Sequence, residues 1–215
     1  MQFFVAEPAS LLRYLALADR YHIAGQSWSG SLAPAQALTW PPGLQSLVIS
    51  NSAASYPDLV DECNRLRADL PPEVDATLRR HEAAGTTDDS ANADCGVFHH
   101  RHLCRLEFWP HGVTPGLGVI DVDRPVYQTV NGPSECQVIR SIKDCSAVDR
   151  PAQITLPTLI ASSQFDEATP APQEPLSRGI AARDQVILEN WSHLPFQEEP
   201  EVYRAVITEW LWGHD

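Results

Sequence analysis

Three residue types that together can move a proton and attack a carbonyl occur along this chain in the order serine, acid, histidine. Ser27 lies in Tyr21-His22-Ile23-Ala24-Gly25-Gln26-Ser27-Trp28-Ser29-Gly30, a short apolar run that leads into glycine, serine and glycine again. Such a pattern describes a buried strand that turns sharply into a helix and leaves the serine hydroxyl at the tip. Small residues must flank the tip because the turn brings backbone against backbone. The strict form is G-x-S-x-G; here Ser29 holds the last position and Gly30 follows it. Asp166 comes just after a strand-like run from Leu156 to Ala161, and His193 just after another from Gln185 to Glu189. A lone Asp or His in a loop is ordinarily a solvated turn residue. Three such residues, each just past a strand and in this order, point to acyl transfer: the histidine takes the serine proton, the serine attacks, and the acid holds the imidazole tautomer. The backbone N–H of Trp28, the residue after the nucleophile, is the expected oxyanion donor.

The elements that must position these groups can be read from periodicity. Four strands are expected near 21–24, 45–50, 156–161 and 185–189, forming one parallel sheet whose carboxyl ends carry the three residues. A helix opening at Pro8 and running from Glu7 to Ala18, with Leu11, Leu12, Leu15 and Leu17 on its apolar side, precedes the first strand. Pro34 sits where the helix behind Ser27 should continue, and it is expected to kink or break that helix. Residues 1–52 and 151–215 then form the core, and residues 53–150 an inserted helical cap. In the cap, Leu59, Cys63, Leu66 and Leu70 make one helical stripe, and Pro71-Pro72-Glu73 starts a second helix that Gly85 stops. Thr86 to Ala93, small and polar, reads as a loop. Cys95-Gly96-Val97-Phe98-His99-His100-Arg101-His102-Leu103-Cys104 contains metal-ligand types, but their spacing matches no common zinc pattern. A helix with an exposed basic face is expected there, with no metal and no cofactor.

The strings GQSWSG, SLVISNS, LRADLPPEV, HEAAGTTDD, YQTVNGPSE, FDEATP and SHLPFQEEPE resemble the proline iminopeptidase family of α/β-hydrolases, from about Val5 to Leu211. The resemblance implies a serine aminopeptidase that releases N-terminal proline or other residues from peptides with a free N-terminus. Ser27, Asp166 and His193 would be its triad. Glu135, in Asn131-Gly132-Pro133-Ser134-Glu135, and Glu167, beside the triad acid, would bind the substrate's α-amino group. A blocked or internal peptide offers no cation to two such carboxylates. The expected fold is a partial α/β-hydrolase, a parallel sheet lacking its N-terminal strands, because only about twenty residues precede the elbow strand and no HGGPG-like oxyanion loop occurs. Loss of one oxyanion donor typically costs about 100- to 1000-fold in rate. The strand at Tyr21 would then be an open edge that invites self-association. Two other readings stand beside this one: a non-catalytic relic or fragment of the fold that serves as a binding module, and a generic serine esterase.

A formal charge of −13 across 215 residues, with a pI near 4.9, argues against nucleic acid and anionic membranes as partners. A content of 43% hydrophobic residues suffices for a sizeable core. Five cysteines with no C-x-x-C pair are expected to be free thiols in the cytoplasm. No apolar run of membrane-spanning length occurs in the sequence, so no membrane partner is expected.

Overall fold

A computed structural model describes residues 2–39, 41–85, 89–113 and 124–215. The order is α1 (Gln2–Tyr14), β1 (Tyr21–Gln26), α2 (Trp28–Ala37), β2 (Leu44–Ser50), α3 (Tyr56–Arg67), α4 (Pro72–Ala84), α5 (Asp89–His102), α6 (Arg124–Val130), β3 (Thr158–Ser163), α7 (Pro170–Gly179), β4 (Arg183–Leu188), α8 (Pro195–Glu198) and α9 (Pro200–Trp212). The four strands form one sheet in the order β1-β2-β3-β4, and every pair is parallel. The two inner strands are apolar runs, Leu44–Ser50 and Thr158–Ser163, buried along almost their whole length. Continuous burial of this kind is what helices on both faces of a parallel sheet impose. β1 and β4 are the edges, and β4 is largely exposed.

Two clusters of buried side chains hold the molecule together. One lies under the sheet, where Ala33 and Ala37 of α2 meet Leu47, Ile49, Ile160, Leu176 and Ile180. The other is built between β2 and β3 in the sequence, where Leu59, Cys63, Leu66, Leu70 and Val74 pack against Phe98, Val138 and Ile142. The stripe read from the sequence is thus the packed face of α3. Gly85 closes α4 in the left-handed conformation at φ 63°, as a helix-terminating glycine does.

Four local expectations need correction. α1 runs over Gln2–Tyr14 with Pro8 inside it, and Leu11, Leu15 and Leu17 are exposed rather than buried. Pro34 does not break α2, which continues to Ala37. Proline gives up one donor there, the amide that would reach Gly30, while its ring is fully buried and its carbonyl still accepts from Leu38 at 3.0 Å. The segment read as a loop from Thr86 to Ala93 is helical from Asp89 onward, and 86–88 lie outside the described residues. Finally, the basic face expected on α5 is exposed only in part: His100 is exposed, whereas His102 is buried. Among the described residues no helix is long and apolar enough to cross a membrane, and all five cysteines are free.

Candidate active site

Ser27 stands between β1 and α2 with φ 57° and ψ −124°, a conformation that L-residues avoid. Its amide donates back to the carbonyls of Ser50 (3.1 Å) and Asn51 (3.0 Å), and its own carbonyl accepts from Ser31 (3.1 Å). Those bonds pin the turn, and two glycines make room for it. A Cβ on Gly25 would come within 2.4 Å of the Ser29 backbone, and one on Gly30 within 2.7 Å of the Ser52 side chain. Ser29 itself is exposed, so the position where the strict motif has glycine tolerates a side chain here. Trp28, packed between Phe4 and Tyr56, is the first residue of α2. Its amide is therefore one of the helix's donors without an intrahelical acceptor.

The carboxyl ends of β3 and β4 bring the acid and the histidine to the serine. His193 Nε2 lies 2.9 Å from Ser27 Oγ, and His193 Nδ1 lies 2.7 Å from Asp166 Oδ1. Asp166 is fully buried, and its Oδ1 also accepts the Ala168 amide at 2.8 Å. Burial by itself pushes the His193 imidazole down. The charges of Asp166, Glu167 and Glu135, with the Asp166 hydrogen bond, outweigh it and hold the group up at about 9.

Glu167 and Glu135, from different elements, both act on the His193 imidazole through their charges. Glu167 Oε1 lies 3.8 Å from His193 Nε2, while Oε2 is buried with no hydrogen-bond partner among the described residues. Burial raises its pKa to about 8; the His193 charge opposes the rise, and Glu135 and Asp166 add to it. Glu135 follows a turn whose Gly132 has φ 132°, where a Cβ would meet the Gln137 carbonyl at 2.5 Å. It accepts from the Tyr127 hydroxyl at 2.5 Å, and Asn131 Nδ2 donates to that same hydroxyl at 2.9 Å. The turn is anchored through a buried ion cluster: Ser134 donates to Glu82, whose carboxylate pairs at 2.8 Å with Arg67, and Arg67 pairs with Asp75 at 2.9 Å. Asn64 of α3 also holds the Cys136 carbonyl at 3.0 Å.

Several residues that build this site were not singled out from the sequence. The carbonyl of His102, at the end of α5, accepts the amides of both Glu167 (3.2 Å) and His193 (3.1 Å), and Leu103 accepts that of Leu194 at 3.0 Å. The His102 ring lies 3.0 Å from the Phe165 carbonyl through Nδ1, and burial lowers its pKa, so the neutral ring donates there. Gln26 donates to the His193 carbonyl at 2.9 Å, and Glu198 accepts from both the amide and the hydroxyl of Ser192. Asn51 reaches Asp166 Oδ2 at 2.7 Å. A backbone carbonyl leaves no mark in a sequence, although the apolar strand ending in Ser50-Asn51-Ser52 is a signal that could have found Asn51. No group of three or more His, Cys, Asp or Glu among the described residues is placed to hold a metal ion.

Comparison with known proteins gives this geometry its context. A proline iminopeptidase of Heyndrickxia coagulans is 35% identical over 210 residues, covering 97% of this chain and 72% of its own length. One from Saccharolobus solfataricus is 33% identical over 194 residues, covering 90% of this chain and 62% of its own. The chain therefore spans 62 to 72% of the length of these curated relatives. Among solved structures, VinJ has a TM-score of 0.95 at 39% identity, covering 100% of this chain and 73% of its own. A proline iminopeptidase from Mycobacterium smegmatis has a TM-score of 0.89 at 37% identity, covering 99% and 71%. An α/β fold family hydrolase from Bacillus anthracis, at 14% identity and a TM-score of 0.62, shares the fold alone. No protein-family model matches the chain. The kinship in sequence, the parallel sheet and the serine elbow together make this chain a member of the proline iminopeptidase family of α/β-hydrolases.

Proposed function

We propose that this chain is a serine aminopeptidase that removes N-terminal proline or other residues from peptides with a free amino group. Ser27 is the nucleophile, His193 the general base and then the acid, and Asp166 the group that fixes the imidazole. His193 takes the hydroxyl proton as Ser27 attacks the first peptide carbonyl. The developing oxyanion lies against the Trp28 amide. His193 then protonates the leaving amine, and water activated by the same base releases the residue from Ser27. Residues 53–150 act as the cap that brings Glu135 to the mouth of the site. The observation that carries the reading is Glu167 Oε2, a buried carboxylate oxygen without a partner, on a carboxyl group 3.8 Å from the base. A peptide's ammonium group satisfies that oxygen at the position where only a first residue can be cleaved.

The test compares two substrates on one enzyme. Glu135→Gln removes a charge and leaves Ser27, His193 and Asp166 untouched. Its expected effect is a KM about 10- to 100-fold higher for a free-amine prolyl amide, the range spanned by one charge-assisted hydrogen bond. An N-blocked ester, assayed at a pH where the free His193 is already deprotonated, should be cleaved at nearly the parental rate. Equal losses on both substrates would make Glu135 a structural residue and remove the amine-recognition reading.

A further inference from the structure

We propose that Asn51 is the positioning residue that locks Ser27, Asp166 and His193 in mutual register. For its kinetic readout this rests on the hydrolase reading above. Asn51 is fully buried at the carboxyl end of β2, between the strand that leads to Ser27 and the strand that leads to Asp166. It touches all three catalytic loops. Its carbonyl accepts the Ser27 amide at 3.0 Å. Its Nδ2 lies 2.7 Å from Asp166 Oδ2 and 3.1 Å from the carbonyl of Ser192, the residue before His193. Nδ2 also lies 2.7 Å from Ser163 Oγ, so two amide protons face three acceptors, of which the carboxylate is the strongest.

The amide orientation is set from behind. Asn51 Oδ1 accepts the Ser50 hydroxyl at 2.9 Å, and Ser50 in turn accepts the Tyr203 hydroxyl at 3.1 Å. With the oxygen occupied on that side, the NH₂ group faces the acid. Asparagine also suits the backbone, which has φ 45° here, a region where Asn is enriched among non-glycine residues. Without this amide, Asp166 Oδ2 is a buried anionic oxygen that has lost its side-chain donor. The carboxylate is then held by the Ala168 amide and His193 on Oδ1 alone, and it is free to turn. Turning it carries the imidazole off the line to Ser27.

Two substitutions separate this role from a packing role. Asn51→Gly accepts the backbone angle and removes the amide; Asn51→Asp keeps the shape and replaces the donor with a carboxylate facing Asp166. The readouts are the strongly downfield His193 Nδ1–H proton resonance, measured on the 215-residue chain, and the rate at which a fluorophosphonate probe labels Ser27. Both variants are expected to lose the resonance and to label about 10- to 100-fold more slowly, the range of one lost bond to a charged group. Ser163→Ala, which leaves the Asp166 contact in place, should keep the resonance and label within about twofold of the parent, since neutral single contacts contribute little. A folded Asn51 variant that keeps both the resonance and the labelling rate overturns the proposal. Should neither fold, Ser50→Ala carries the test by freeing the amide behind Asn51, and an unaltered resonance there overturns it. A parent chain that shows the resonance but never labels would sink the hydrolase reading, while the resonance still decides the role of Asn51.

Discussion

His193 sits among three carboxylates, and their charges hold its pKa near 9 against the effect of burial. A general base acts only when deprotonated, so with His193 as the proposed base, activity in the free enzyme is expected to rise as pH climbs through that value. On the proposed reading, an ammonium group bound at Glu167 and Glu135 neutralises two of the three charges, and the imidazole pKa then falls. For a free-amine substrate, the acid limb of kcat is therefore expected at lower pH than the acid limb of kcat/KM. An N-blocked ester, which brings no cation, should show the two limbs together. The same binding event pulls Glu167 down from about 8, so protons are released on binding near that pH. Coincident limbs for both substrates would rule out this coupling. Ser27, Asp166 and His193 were legible because each is a chemically distinctive residue just after a strand. Glu135 and Glu167 were legible only by resemblance, since a glutamate after a turn reads as solvated. Asn51 and His102 were hidden for different reasons: one looks like a turn residue, and the other contributes chiefly its backbone carbonyl.

At the scale of the element, the β1–α2 turn stores strain that the surrounding hydrogen bonds hold in place. A non-glycine residue at φ 57° and ψ −124° costs about 1–3 kcal/mol. Ser27→Gly should therefore abolish hydrolysis yet stabilise the fold by about 1 kcal/mol, after allowing for the greater freedom of glycine in the unfolded chain. Gly25→Ala should do the opposite, because a methyl group 2.4 Å from the Ser29 backbone cannot be relieved by a rotamer change. A loss of at least about 2 kcal/mol is expected. Urea melts of the two variants check both signs, and a destabilised Ser27→Gly would remove the strain argument. The strands were legible to within about two residues because buried apolar runs bounded by turns have few alternatives. Pro34 misled because a propensity rule weighs one lost hydrogen bond but not the core contacts of a buried ring. α1 misled in another way. Its leucines have a helical spacing, but Leu11, Leu15 and Leu17 remain about half exposed.

The whole molecule combines a strongly acidic composition with an open side. Among the described residues β1 has a strand neighbour on one side only, and the exposed Leu11, Tyr14, Leu15 and Leu17 lie in the segment that leads into it. Charge repulsion at −13 opposes association, whereas an unpaired strand beside apolar side chains favours it. The edge is expected to prevail as salt screens the charge. Sedimentation of the 215-residue polypeptide should show mass rising with concentration and with ionic strength. Ala24→Lys, which places a charge on the exposed part of that edge, should reverse the trend; a monomer under all conditions would refute the idea.

The carbonyl of His102 belongs to the helical insertion, yet it receives the amides of Glu167 and His193 together. Together with the Leu103 carbonyl, which receives the Leu194 amide, it ties the helical insertion to the loops that carry Glu167 and His193. The insertion is consequently not an interchangeable module. A graft that takes the helices of a relative but ends before position 102 exchanges the doorway and keeps its anchor on the cutting loops. A graft that ends beyond position 104 must also supply a new anchor for the loops that carry Glu167 and His193.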